Sequence, residues 1–241
     1  MKRALAIALL PAAILAACTG ASTGIVQTLQ TVWRSDAAAE QAALNPSLRY
    51  LRVVSGGRIV LLVLGNVESG AQGPIEVWYS AEREVLRLRN GRVVGAVGLT
   101  TEWRSVSMPQ LVSWSELART AAPARWVRTR DVMPGYRYGV RDELLLSLIP
   151  APAKSALQGV DPQRLTWFEE RLQSIAGDSV LARRANPADP PLAPARYAVD
   201  LRAAPDIADR VVYGEQCLAA ELCFSWQRWP ASLEAQGSAA R

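Results

Sequence analysis

The sequence predicts a mainly β protein. The strands form antiparallel meander sheets, sandwich or barrel-like, with an N-terminal helix and one or two short helices. Three observations carry this reading. From Arg49 onward, short apolar runs alternate with polar residues at a period of two. Turn residues separate the runs, most clearly Ser55-Gly56-Gly57 and Asn90-Gly91. Helical spacing is confined to a few short segments.

The first residues read as an export signal. Met1-Lys2-Arg3 is a basic start, and Ala4 to Ile14 is an apolar run too short to span a bilayer. Leu15-Ala16-Ala17-Cys18 follows with the pattern of a bacterial lipobox. In that class a diacylglycerol alkylates the thiol, cleavage precedes the cysteine, and the new amine is acylated. Residues 1–17 are thus expected to be a signal peptide and Cys18 the lipidation site. Two or more acyl chains anchor stably where one binds only marginally. Thr19 follows, where many inner-membrane lipoproteins carry aspartate. The expected address is therefore the outer membrane, on its periplasmic face.

Residues 18–46 are expected to be a lipid-anchored tether and helix. Ile25, Val26, Leu29, Val32 and Trp33 recur at helical spacing, and Asn45-Pro46 stops the pattern. This helix either lies on the membrane or packs on the domain. Residues 47–230 are expected to be one β-rich periplasmic domain, with two β halves around a 109–121 helix as one layout.

The strands follow in order. "RYLRVV", "RIVLLVLG", "IEVWYSA", "EVLRLR" and "RVVGAVGL" read as a meander. Asparagine-glycine suits a type I′ turn, because both central residues need positive φ. Leu86 and Leu88 share one face of their strand, and Arg87 and Arg89 the other, so one face is buried and one wet. "PQLVSWSELARTA", 109–121, reads as a helix. "ARWVRTRDVMPGYRYGVRDELLLSLI" returns to strand, turning at Pro134-Gly135. "LTWFEERLQ" fits strand or helix, and "NPADPPLAPA" is a proline-rich loop. "RYAVDL" and two runs around the late cysteines complete the domain. Residues 231–241 are a polar tail.

Composition narrows the chemistry. Formal charge is +5, falling by two to +3 once Lys2 and Arg3 are removed. The arginines are scattered along strands, so nucleic acid is not expected as a partner. Weak attraction to anionic headgroups or anionic polysaccharide fits the balance. Without Cys18, the chain keeps Cys217 and Cys223, an even pair expected to form a disulfide in an oxidising compartment. The chain holds no histidine, which excludes Ser-His-Asp and Cys-His catalysis and leaves the cysteine pair a poor zinc site. No cofactor, metal site or catalytic residue is expected, and the protein is read as non-enzymatic. Glu169-Glu170 is the most visible carboxylate pair. Adjacent strand residues point to opposite faces, so the pair is read as a solvated charge run. Tryptophan is the commonest aromatic, with 8 against 6 tyrosines and 2 phenylalanines. Sugar rings stack on exposed aromatic faces, and large aromatics also build cores. Trp78, Tyr79, Trp103, Trp126, Tyr136 and Tyr138 are noted on that ground. Arg87, Arg89 and Arg92 are candidates for contact with an anionic glycan, or else plain solvated hairpin arginines.

"VWYSAEREVLRLRNGRVVGAVGL" followed by "TTEWRS" resembles the central segment of the YjbF-type lipoproteins, the group 4 capsule polysaccharide lipoproteins. "LTWFEERLQS" and "RYAVD" resemble their later strands. The resemblance implies an outer-membrane lipoprotein encoded among genes for exopolysaccharide or capsule production and export, beside large outer-membrane β-barrel proteins. On that basis the protein is expected to assist assembly or secretion by binding glycan or an export partner, with Arg87, Arg89, Arg92, Trp78, Tyr79 and Trp103 as contacts for either. The resemblance implies no catalytic residues. A periplasmic polysaccharide-modifying enzyme and a structural envelope lipoprotein are the alternatives.

Overall fold

A computed structural model describes residues 43–109, 112–173, 191–202 and 211–231. Cys18, the expected N-terminal helix up to residue 42 and the tail from 232 lie outside the described residues. Twelve antiparallel strands, each hydrogen-bonded to the next in sequence, close into one barrel through pairing of the first with the last. They are β1 (Tyr50–Ser55), β2 (Arg58–Glu68), β3 (Ile75–Tyr79), β4 (Val85–Arg89), β5 (Arg92–Val97) and β6 (Glu102–Ser107), then β7 (Ala124–Met133), β8 (Arg137–Ile149), β9 (Thr166–Leu172), β10 (Ala195–Val199), β11 (Val211–Ala219) and β12 (Leu222–Trp229). The expected mainly β architecture is the observed one, in its barrel form.

Alternation builds the wall. In β4, Leu86 and Leu88 are buried while Arg87 and Arg89 are half-buried on the other face. In β3, Trp78 turns inward and Tyr79 outward. The turns carry the expected chemistry. Gly56 and Gly57 both have positive φ between Ser55 and Arg58, and Asn90 and Gly91 do so between β4 and β5. Gly91 has a second constraint, because a Cβ there would lie 2.5 Å from the Val211 side chain. Register shifts in β2–β3, β4–β5, β6–β7 and β7–β8 mark bulges, which bend a sheet toward closure.

"LTWFEERLQ" is a strand, paired with both β8 and β10. "EWRSVS" is also a strand, β6, which alternation did not reveal. The expected 109–121 helix is shorter: α1 spans Trp114–Thr120. Ser113 caps it, its hydroxyl accepting from the Glu116 amide, and Ala121 ends it in the left-handed region. Trp114 and Leu117 are its buried residues.

Because neighbouring strands run antiparallel, the connections alternate between two ends. The chain enters β1 at the end that carries α1, the β4–β5 turn and residues 150–165. The opposite, distal end carries the β1–β2, β3–β4, β5–β6, β7–β8 and β11–β12 connections. The interior is filled with side chains. Trp78, Trp103, Trp114, Trp126 and Trp226 join Leu51, Leu88, Leu144 and Phe168 in one core. A second cluster, Trp167 with Tyr213 and Ala198, lies on the outer wall beneath residues 150–165. There Tyr213 donates its hydroxyl to Glu215 at 2.7 Å and accepts from the Ala156 amide at 2.9 Å.

Cys217 and Cys223 are bonded, in facing positions of the distal β11–β12 hairpin. The closed loop is small, so replacing both cysteines by serine should cost about 2–3 kcal/mol on the chain-entropy model. Urea midpoints of the oxidised protein and the double variant check this. Equal midpoints would show that the hairpin gains nothing from the bond.

Candidate functional site

The residues that stand out chemically are charged groups inside the barrel. On β7, Trp126, Arg128, Arg130 and Val132 share the inward face. From β8, Asp142 comes between the two arginines. Arg128 Nε donates to Asp142 Oδ2 at 2.8 Å, and Arg130 donates through Nε to Oδ2 at 2.7 Å and through Nη2 to Oδ1 at 3.1 Å. From β9, Glu170 Oε1 accepts from Arg128 Nη1 at 3.4 Å. Glu170 Oε2 faces Arg92 Nε at 3.9 Å, beyond hydrogen-bond range. Across the lumen, Arg228 donates through Nη1 and Nη2 to Glu76 at 3.0 and 2.7 Å. These seven side chains are buried.

Aromatic faces support the cations. The Arg92 guanidinium carbon sits 3.7 Å from the Trp114 ring centroid and 4.7 Å from that of Trp126. Arg128 and Arg130 lie 4.6 and 5.0 Å from Trp103, and Arg228 lies 5.3 Å from Trp78. Desolvated cation–π contacts of this kind are worth about 2 kcal/mol or more.

The carboxyls titrate in opposite directions. Burial works to raise Asp142, but Arg128 and Arg130 outweigh it and hold the group below the usual carboxylate range. Burial raises Glu170 against the pull of Arg128 and Arg92. Burial likewise lowers Arg92, against Glu170 and Tyr197, and raises the Tyr197 phenol. A cavity of about 10 Å³ lies beside this cluster, lined by Arg128, Leu144, Glu170 and Gln216 among others. That is room for about one water and none for a sugar ring. Among the described residues, no group of three or more His, Cys, Asp and Glu side chains could hold a metal ion.

The candidate contact residues are separated by this architecture. Trp78 and Trp103 are fully buried core residues, Trp126 is buried with them, and Arg92 is buried beneath α1. None of the four can meet a surface glycan. Arg87 and Arg89 do face outward, but Arg87 pairs with Glu68, and Arg89 Nη1 donates to Gln72 at 2.8 Å. Of the aromatics, Tyr79, Tyr136 and Tyr138 are exposed. The Glu169-Glu170 reading also needs correction. The two residues do point to opposite faces, but both are buried. Glu170 faces the lumen, and Arg171 and Arg196 cover Glu169 on the outside.

Sequence reasoning missed the interior arginines and Asp142. A signal was present: Arg128 and Arg130 share their strand face with Trp126 and Val132, so an inward Trp carries them inward with it.

Residues 27–176 match the family described as group 4 capsule polysaccharide lipoprotein gfcB, YjbF. The chain belongs to that family. The YjbF match runs through β1–β9 and contains Glu76, Arg92, Arg128, Arg130, Asp142 and Glu170. The strands β10–β12, with Tyr197, Arg228 and the disulfide, lie past its end. Among solved structures, the chain is similar to the crystal structure of the hypothetical lipoprotein YmcC from Escherichia coli (K12), with a TM-score of 0.53 and 17% identity. That similarity covers 88% of this chain and 96% of the other, and it shows the shared fold. No curated protein matches the chain. Membership in the YjbF family makes this a capsule-related lipoprotein, a membrane-anchored protein of the cell envelope.

Proposed function

We propose that the chain is held at the outer membrane through acylated Cys18, with its barrel on the periplasmic face. There it assists assembly or secretion of capsule or exopolysaccharide without catalysis, by holding the glycan beside an outer-membrane β-barrel export protein. The family match over residues 27–176 carries this reading. The packed lumen supports it. The inward carboxylates are engaged by arginines, and the cavity beside them is too small for a sugar. A glycan contact therefore belongs on the outside of the barrel, not in it.

Deleting the gene in a capsule-bearing strain should reduce surface or secreted polysaccharide. Cys18→Ser should fail to restore it and should leave an unprocessed or mislocalised precursor. Purified protein should leave the polymer's chain length and substituents unchanged, as read by size-exclusion chromatography and NMR. Unchanged polysaccharide in the deletion strain would remove the pathway assignment. Turnover of the polymer would replace a holding role by an enzymatic one.

A further inference from the structure

The distal end presents two tyrosines that the fold does not use. Among the described residues, Tyr136 and Tyr138 are the most exposed large hydrophobic side chains, at 75% and 66%. They flank Arg137 at the tip of the β7–β8 hairpin. The tip is tied to the barrel. Arg137 stands opposite the fully buried Val132, and it follows a three-residue connection, Pro134-Gly135-Tyr136. The Gly139 amide donates to Asp131 Oδ1 at 2.8 Å across the hairpin. Two aromatic rings are thus held out in solvent on a short, hydrogen-bonded support. Such rings offer large contact area at low conformational cost, because a tyrosine has only two side-chain torsions to fix.

We propose that the Tyr136–Tyr138 tip is a stacking platform for sugar rings of a polysaccharide chain. This rests on the glycan-holding reading above and places its contact. A pyranose offers an apolar C–H face that packs on an aromatic π-face, while its hydroxyls meet the phenol O–H and nearby arginine donors. Arg137 sits between the two rings in sequence, and Arg141, exposed on the same hairpin, lies 3.4 Å from Glu143, so the hairpin offers hydroxyl-binding donors more than net charge. The tip also lies at the end opposite the one where the chain arrives from its anchor. A membrane-inserting tip would present Trp, Phe or Leu. This one presents phenols beside arginine, with Met133 half-buried. Among the described residues, no broad apolar patch of the kind that marks many protein interfaces continues from the tip. The exposed large aliphatics among them, Val67 and Leu148, lie toward the opposite end of their strands.

The test is affinity electrophoresis of the mature protein through gels containing surface polysaccharide purified from the source organism. Tyr136→Ala/Tyr138→Ala is compared with Tyr136→Phe/Tyr138→Phe. Both doubles change exposed side chains, and thermal melts confirm that the barrel stays folded. The wild type should be retarded, the alanine double should bind at least about fivefold more weakly, and the phenylalanine double should stay within about threefold, because stacking survives loss of the hydroxyls. Equal retardation of wild type and alanine double would overturn the platform and leave glycan holding intact. A wild type that is not retarded would overturn both, while the deletion strain still decides the pathway. If the alanine double instead loses binding to phosphatidylglycerol–phosphatidylethanolamine vesicles and keeps polymer binding, the tip is a membrane contact and the proposal fails.

Discussion

Asp142→Ala should destabilise the barrel by about 3–5 kcal/mol, the range seen when one partner of a buried ion pair is removed. Asp142 accepts from both Arg128 and Arg130. Its removal leaves Arg130 without its buried acceptor and Arg128 with only the 3.4 Å contact to Glu170. Two guanidinium groups would then be left near each other in a low dielectric, with Glu170 in reach of Arg128 alone. The dependence on pH gives an independent reading. Arg128 and Arg130 hold the folded Asp142 carboxyl below its unfolded value, which is about 3.9. A group lowered on folding contributes stability that is present above the unfolded value and is lost as pH falls through the folded one. Glu170 has the opposite sign, because burial raises it. Its contribution is present at low pH and is lost as pH rises through its folded value. Urea midpoints measured from neutral pH into the acid range should therefore draw together once pH falls below about 4: the wild type declines toward the variant as the unfolded chain takes up the proton that folded Asp142 resists. Parallel curves would show that Asp142 does not carry the acid-side stability. A loss under about 1 kcal/mol at neutral pH would show that the two arginines find other partners.

How far the sequence disclosed this arrangement depends on where the burial comes from. Where a strand is covered by its own neighbours, alternation was enough. Leu86 and Leu88 lie in, Arg87 and Arg89 out, and the Asn90-Gly91 turn has the positive φ at both residues that its chemistry predicts. Strand β6 was hidden for a local reason. It follows Trp103 with a bulge, so "EWRSVS" breaks the period-two rhythm. Barrel closure was hidden for a global one. It rests on β1 pairing with β12, and neither "RYLRVV" nor "LCFSWQRW" says which distant strand it meets. The candidate site suffered most. Arg92 reads as a solvated hairpin residue because the turn beside it is exposed, yet α1 supplies the cover from farther along the chain. Arg128 and Arg130 read as two of the arginines scattered along strands, although Trp126 and Val132, on the same face of their strand, point to the core. Charged residues inside a closed barrel are legible only when each is read with the apolar residues two positions away. The tyrosines of the distal tip, by contrast, are legible in the sequence as aromatics, but not as the most exposed ones among the described residues.

Trp114→Ala should cost about 3–5 kcal/mol, the usual range for deleting a large buried aromatic. Trp114 is the point where α1 closes the entry end. Its ring packs on Phe168 at 5.0 Å and on Tyr197 at 5.2 Å, and its Nε1 donates to the Asn90 carbonyl at 3.1 Å. It also covers Arg92 at 3.7 Å. That last contact decides what kind of loss this is. Among the described residues, Arg92 Nε and Nη2 have no hydrogen-bond acceptor, so ring faces carry much of the compensation for burying its charge. Truncating Trp114 therefore removes apolar packing and uncovers a buried cation together. Trp114→Phe keeps a ring over Arg92 but gives up the bond to Asn90, and its cost should be nearer 1–2 kcal/mol. A double-mutant cycle with Arg92→Met separates the two parts. If the cation–π contact matters, Trp114→Ala should cost about 1–2 kcal/mol less in the Arg92→Met background than in the wild type. Additive losses would mean that Trp114 acts as packing alone and that Arg92 is held by Trp126 and Glu170. The helix would then be a lid that the buried charge does not need.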